Sequence, residues 1–310
     1  MTQALVGPAY TAPFAARFGL ILAVAALTAS WYVFNRVATE GGIPYLGVVF
    51  WQCCGSALIL GVALLIRRQR IPLHRRHLAF YTVSGLLGAV IPFIGVALAA
   101  PEVPVGVLSI GLTLEPGVTY LIALPLLLER FRTIRFAGIL LGIAGLMLVL
   151  LPEAALPSRA MVPWVLVGLA LPIGQALWNN YVGFARPPDV GSHVLAFGLV
   201  AAATLMLLIP AITTGAIWWF DGPGPNSDLW WPLVALAVAN CGWVVGFEAV
   251  RLAGPVFFSM YALIGTPLTI AVGMVAFGER HSAWVWSALI LLLASLYLVN
   301  MTMSSARRRT

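Results

Sequence analysis

Glu115 is the residue with the clearest chemical potential in this sequence. It sits inside the apolar stretch VGVLSIGLTLEPGVTYLIALPLLL, directly before Pro116. An ionised carboxylate in hydrocarbon costs from ~3 to well above 10 kcal/mol. Such a group must face a wet cavity, bind a cation or stay protonated. Two functional roles follow, exchanging a proton or holding the ammonium group of a substrate. The alternative is a protonated side chain hydrogen-bonded to a neighbouring helix. Pro116, and Pro267 in a later apolar stretch, each lack a backbone donor and disrupt the bond to the carbonyl one turn earlier. In lipid this is tolerated where other groups or water compensate. The two prolines read as hinges beside a site, or as kinks that serve packing.

Polar and aromatic residues accompany Glu115 inside apolar stretches. They are Trp31 and Asn35, then Trp178, Asn179 and Tyr181, then Asn240 and Trp243, then Ser259 and Tyr261. Ser30, Tyr32, Gln52, Gln175 and Asn180 lie in the same runs. Aromatic faces stack on rings or hold an ammonium group, and amides bind carboxylates or carbonyls. Trp and Tyr also collect at membrane interfaces. Trp164, Trp218, Trp219, Trp230, Trp231, Trp284 and Trp286 lie near the ends of apolar runs and read as such anchors. Arg36 would draw an anionic group to a cavity mouth or, more simply, snorkel to the interface. Glu248 stands three residues before Arg251, the spacing of a pair on one helix face; a gate is the alternative. Glu129 and Glu279, each followed by Arg, read as structural.

The surrounding composition excludes most other chemistry. The chain has 310 residues, 61% hydrophobic and 9% charged, with mean hydropathy +0.99. Soluble domains carry about 25% charged residues. The apolar residues come in long runs rather than alternating, which argues against a barrel. Ten spans of helical length follow: 18–37, 46–66, 78–100, 105–128, 136–151, 162–185, 192–214, 230–252, 255–277 and 283–301. All 17 basic residues are Arg. With both termini on the cytoplasmic side of an inner membrane, fourteen fall on that side and three, Arg36, Arg159 and Arg280, on the other. The basic charge therefore reads as topology, and no nucleic-acid partner is expected. No GxxxxGK[ST], GxSxG or HExxH motif occurs, the four His lack metal-ligand spacing, and Cys53, Cys54 and Cys241 read as buried thiols. Neither an enzyme nor a cofactor or metal is implied.

The chain also repeats itself. At an offset of 151, Gly95 meets Gly246, Pro104 meets Pro255 and Pro116 meets Pro267; at 147, Trp31 meets Trp178 and Phe34 meets Tyr181. Glu115 meets Thr266, so the halves differ at that depth. Two five-helix halves follow, residues 1–155 and 156–310. Five is odd, so the second enters the membrane from the opposite side, an inverted repeat of the kind that builds alternating-access carriers. The expected fold class is an all-α integral membrane bundle of ten transmembrane helices.

The segments VGVLSIGLTLEPGVTYLIALPLLLERFRTIRFAGILLGIAGLMLVLL and GPVFFSMYALIGTPLTIAVGMVAFGERHSAWVWSALILLLASLYLVN carry a family pattern. The pattern is a mid-helix Pro, an apolar run to a helix-end Glu, and then a Gly-rich final helix. They resemble the EamA-type half of the drug/metabolite transporter superfamily. That resemblance implies a central cavity walled mostly by the first, third, fourth, sixth, eighth and ninth helices. It places the fifth and tenth at the periphery, available to a second subunit. It implies a secondary transporter of a small metabolite, with amino-acid or related amphiphile export first. A multidrug or organic-cation efflux carrier and an uncoupled facilitator or lipid-flipping protein are the alternatives. Small-molecule substrate and membrane lipid are the expected partners.

Overall fold

The computed structural model describes residues 14–126, 131–150, 156, 158–219, 227–253, 258 and 261–300. These residues form helices and connecting turns, with no strand among them. In chain order the helices are α1 (Phe14–Glu40), α2 (Tyr45–Ile66), α3 (Arg75–Ala99), α4 (Val105–Ala123) and α5 (Thr133–Leu150). Then follow α6 (Arg159–Ala185), α7 (Ser192–Thr213), α8 (Trp230–Leu252), α9 (Tyr261–Phe277) and α10 (Ala283–Asn300). Eight of them are long and apolar enough to cross a membrane, and α9 and α10 contain shorter apolar helices, Ile264–Phe277 and Ala283–Leu298. The protein is a multi-pass helical membrane protein. The first eight expected spans recur in order, and shorter apolar helices stand at the places of the ninth and tenth. The fourth ends at Ala123 and gives way to a turn, so its expected limit at 128 was too long.

Glycines of left-handed φ terminate α1, α7 and α9: Gly42 at 95°, Gly215 at 64° and Gly278 at 63°. A residue with a Cβ is strained there. Prolines act inside the helices. Pro92 has no N–H for the Gly88 carbonyl, and the helix widens into a π-turn over Leu86–Val90. The Gln175 side chain of α6 donates to the Gly88 carbonyl at 3.4 Å. In α4 the bonds slip to a tighter spacing at Thr113 and Leu114, just before Pro116. Turns also interrupt α6 at Leu169 and α8 at Cys241–Gly242. By contrast α2, α5, α7 and α10 run unbroken.

The packing partners show an exchange pattern. α1 packs against α8 and α9, while α6 packs against α3 and α4. α2 packs against α7 and α8, while α7 packs against α2 and α3. α4 meets α9, and α5 meets α10. Exchanging each helix of the first five with its counterpart in the second five maps this set of contacts onto itself. The α5–α10 contact is close because small residues line it: a Cβ on Gly145 would come within 2.8 Å of Leu292, and one on Gly142 within 2.8 Å of the Ser295 hydroxyl. Van der Waals packing through small residues is the main means of helix association in lipid. The breaks fall in α3, α4, α6 and α8, where a neighbouring protein group such as the Gln175 amide can serve a freed carbonyl; lipid cannot.

Candidate functional site

The interruption in α4 decides where Glu115 goes. Its second segment starts at Glu115 with Pro116 in the first turn, where the missing donor costs nothing. The carboxylate is fully buried. Oε1 accepts from Nδ2 of Asn179 on α6 at 2.7 Å, and Oε2 accepts from the Tyr261 hydroxyl on α9 at 2.8 Å. Tyr32 of α1 lies within electrostatic reach. Both donors belong to the second half of the chain, so these bonds tie Glu115 of the first half to two helices of the second. Nearby, the Thr266 hydroxyl on α9 donates to the Ser109 carbonyl of α4 at 3.0 Å, and Asn180 donates to the Thr119 carbonyl at 3.0 Å. The buried oxygens Asn179 Oδ1 and Asn180 Oδ1 receive no hydrogen bond, and the Thr119 hydroxyl neither donates nor accepts one.

A cavity of about 100 Å³ adjoins this centre. Trp31, Asn240, Trp243 and Tyr261 line it, together with Thr28, Phe93, Gln175 and Phe258. Its wall comes from α1, α3, α6, α8 and the start of α9; α4 contributes through Glu115, which stands behind Tyr261. The other expected residues fall elsewhere. Trp178 is fully buried behind the wall, 4.7 Å from the Trp243 ring and 5.0 Å from Phe247. Asn179 binds Glu115. Asn35 turns back on its own helix and donates to the Trp31 carbonyl at 2.9 Å. Tyr181 stacks on Phe80 at 5.4 Å, away from the cavity. Ser259 lies outside the described residues, as do Glu129 and Pro255. Pro116 marks a break, whereas Pro267 sits inside a continuous α9. Phe93 and Phe258 were not singled out from sequence. The only available signal for Phe93 was Pro92 beside it.

Charged clusters close the two ends. At one end, Arg36 of α1 does not snorkel: its Nη1 lies 2.5 Å from Glu279 Oε1, its Nε donates to Glu40 at 2.7 Å, and its guanidinium lies 4.4 Å from the Phe277 ring centre. The reason is Glu279. After Gly278 turns the chain, Glu279 accepts the backbone N–H groups of Val105 at 2.8 Å and Gly106 at 3.1 Å, capping the start of α4. An acid at a helix N-terminus is favourable, and here it leaves one short bond for Arg36. Burial pushes the Glu279 carboxyl up, but His281, the Gly106 and Val105 N–H groups and Arg36 together hold it below the usual carboxylate range. At the other end, Glu248 pairs with Arg251 as expected. It also accepts from Ser192 at 2.8 Å, and Arg186 donates to Ser192 at 3.1 Å and to the Phe247 carbonyl at 2.8 Å. Among the described residues no cluster of His, Cys, Asp or Glu has the makings of a metal site.

Residues 17–151 match the EamA-like transporter family. The resemblance read from the sequence is borne out over those residues, and the match supports a membrane transporter of the drug/metabolite type. A solved structure, described only as the crystal structure of a protein, is 20% identical with a TM-score of 0.61. The alignment covers 96% of this chain and 99% of that one, so the likeness in fold extends through the second half. Comparison with curated proteins returned no match.

Proposed function

We propose that this EamA-type chain is a secondary transporter that carries a small amphiphilic metabolite across the inner membrane by alternating access. Both termini are cytoplasmic. The halves 1–155 and 156–310 form an inverted pair, a reading supported by the exchange pattern of helix contacts. The mobile parts are the interrupted helices, with Pro116 as a hinge and Pro267 as its counterpart. A second copy of the chain would bind on the outer face of α5 and α10.

The observation that carries the reading is the position of Glu115. It is a buried carboxylate at the middle of a broken span, bonded to α6 and α9 and one side chain behind a cavity. A carboxylate so placed is costly unless it works. Substrate entering beside Trp31, Asn240 and Trp243 would compete with the Tyr261 hydroxyl for it. Loss or gain of a proton at Glu115 would then couple solute movement to a proton gradient. Amino acids are the first solutes to try, because an amino group suits the carboxylate and an apolar side chain suits the wall. The test is counterflow of a labelled amino-acid mixture in proteoliposomes of the purified chain. Saturable exchange of at least one solute is expected. Absence of exchange for every amino acid and amine tried would overturn the transporter reading.

A further inference from the structure

A groove of about 350 Å³ lies between α3 and α7, away from the central cavity. Its lining is mostly apolar: Leu73, Leu78, Phe197, Ala202, Leu205 and Met206. Leu73, Leu78 and Leu205 are exposed, so in a membrane the groove opens to acyl chains. On α7 the lining extends from Phe197 to Met206, about 14 Å of helix. Tyr81 of α3 lines the same groove. It is 4% exposed, and its hydroxyl has no hydrogen-bond partner. A buried hydroxyl left so is costly unless something binds it.

Ile71 and Leu73 line both this groove and a polar cavity of about 570 Å³ at the Arg251 end. Arg70 and His74 line the polar cavity from the α2–α3 connection, Asp189 and Gly191 from the α6–α7 connection. Asp189 is the one acid on its wall, and His77 engages it at 3.3 Å. The long helix α7 starts at Ser192 beside it, with no side chain capping its first turn, and such an end favours an anion. Five arginines, at 67, 68, 70, 75 and 76, crowd the α2–α3 connection, and no acid occurs between Glu40 and Glu102. Arg67 meets His193 at 3.0 Å. Arg68, Arg70, Arg75 and Arg76 make no hydrogen bond or ion pair among the described residues. Basic side chains alone read as topology. A basic collar at the mouth of an apolar groove is complementary to an amphiphile with an anionic head.

We propose that the groove between α3 and α7 holds one anionic phospholipid as a resident ligand. An acyl chain lies along Leu78, Ala202 and Leu205, and the Tyr81 hydroxyl donates to the ester region. The headgroup phosphate sits between Arg70 and the start of α7. The lipid thereby touches both halves of the chain. This site needs only that the chain spans a membrane; it does not depend on which solute, if any, crosses.

The test is native mass spectrometry of the full chain in detergent, with phosphatidylglycerol and phosphatidylcholine of identical acyl chains offered in equal amounts. One phosphatidylglycerol per chain is expected, retained at least about fivefold over phosphatidylcholine. Equal retention of the two lipids overturns the proposal. Glycerol phosphate in excess should leave the bound lipid in place; its displacement would reveal a site for the head alone and overturn the groove. Arg70→Gln should weaken phosphatidylglycerol about fivefold, and Arg76→Gln, which lines neither cavity, should weaken it clearly less. Equal losses in the two would mean diffuse surface attraction and no site. Ala202→Phe fills the groove and should also release the lipid from protein that melts as wild type does; undiminished retention would contradict the placement of the chain. Should that variant misfold, the two exposed arginine positions still decide the matter.

Discussion

The two ends of the bundle are closed by charged residues in different ways. At the Arg36 end, the cluster spans α1, the start of α4 and the segment between α9 and α10, so it joins residues 243 apart in sequence. Its central side chains are sheltered: Glu279 is 4% exposed and Arg36 19%. At the Arg251 end, Glu248, Arg251, Arg186 and Ser192 all belong to the second half of the chain, and Arg251 is 51% exposed. Of the polar pairs that cross between the halves there, Arg67 with His193 at 3.0 Å is exposed, and His77 with Asp189 at 3.3 Å reaches water through Asp189, which is 64% exposed. Parting the halves at the first end breaks a buried ion pair and uncaps a helix. At the second end it separates pairs in which at least one member already reaches water. The difference teaches that charge count says little about which end is locked; burial and the halves that a pair connects say more.

Removing one member of the buried pair gives the largest expected effect. Arg36→Ala leaves the sheltered Glu279 without its guanidinium partner while the two backbone N–H groups remain, at a cost of about 1.5–3 kcal/mol. A thermal melt of the variant in detergent should drop accordingly, and an unchanged melt would erase the contrast between the ends. Gly106→Ala comes next. Its added Cβ would lie 2.7 Å from the His281 ring at Nε2, and crowding of this kind costs about 1–3 kcal/mol.

Acid gives a graded version of the first experiment. The folded Glu279 carboxyl is held below its ordinary value, so its stabilising contribution is present above that value and is lost as pH falls through the lower, folded one. Wild-type stability should therefore decline below about pH 4.5. The decline should be shallower in Arg36→Ala, where less of the stabilisation remains to be lost; identical acid profiles would count against the assignment. Arg251→Ala is the smallest. An exposed pair contributes about 0–1 kcal/mol, so its melt should lie close to wild type. A loss as large as that of Arg36→Ala would make the two ends alike.

Much of this architecture is legible in the sequence. The apolar runs mark the spans because lipid enforces length and polarity on every helix. Glu115 announces itself by cost alone, and Pro116 marks the break beside it. The Glu248–Arg251 pair is a matter of helix spacing. What is hidden depends on distant partners. Arg36 looks like an interface residue until Glu279 is seen opposite it, and no local pattern joins positions 36 and 279. Tyr181 shares a run with Trp178 and Asn179, yet it points to Phe80 instead of the cavity. Rotation of a nearly uniformly apolar helix is set by its neighbours. Phe93 and Phe258 are invisible for the same reason: an aromatic in an apolar run gives no sign of whether it meets lipid, core or a cavity.

The central claim is that Glu115 couples solute movement to protons, and gradient-driven flux tests it most directly. Wild type and Glu115→Gln would be reconstituted side by side, and solute flux measured with and without an imposed pH gradient. Gln keeps the shape and the hydrogen bond from Tyr261 but cannot exchange a proton. The account predicts that the gradient accelerates wild-type flux at least tenfold and leaves the folded variant unmoved. A variant that responds to the gradient as wild type does would contradict it.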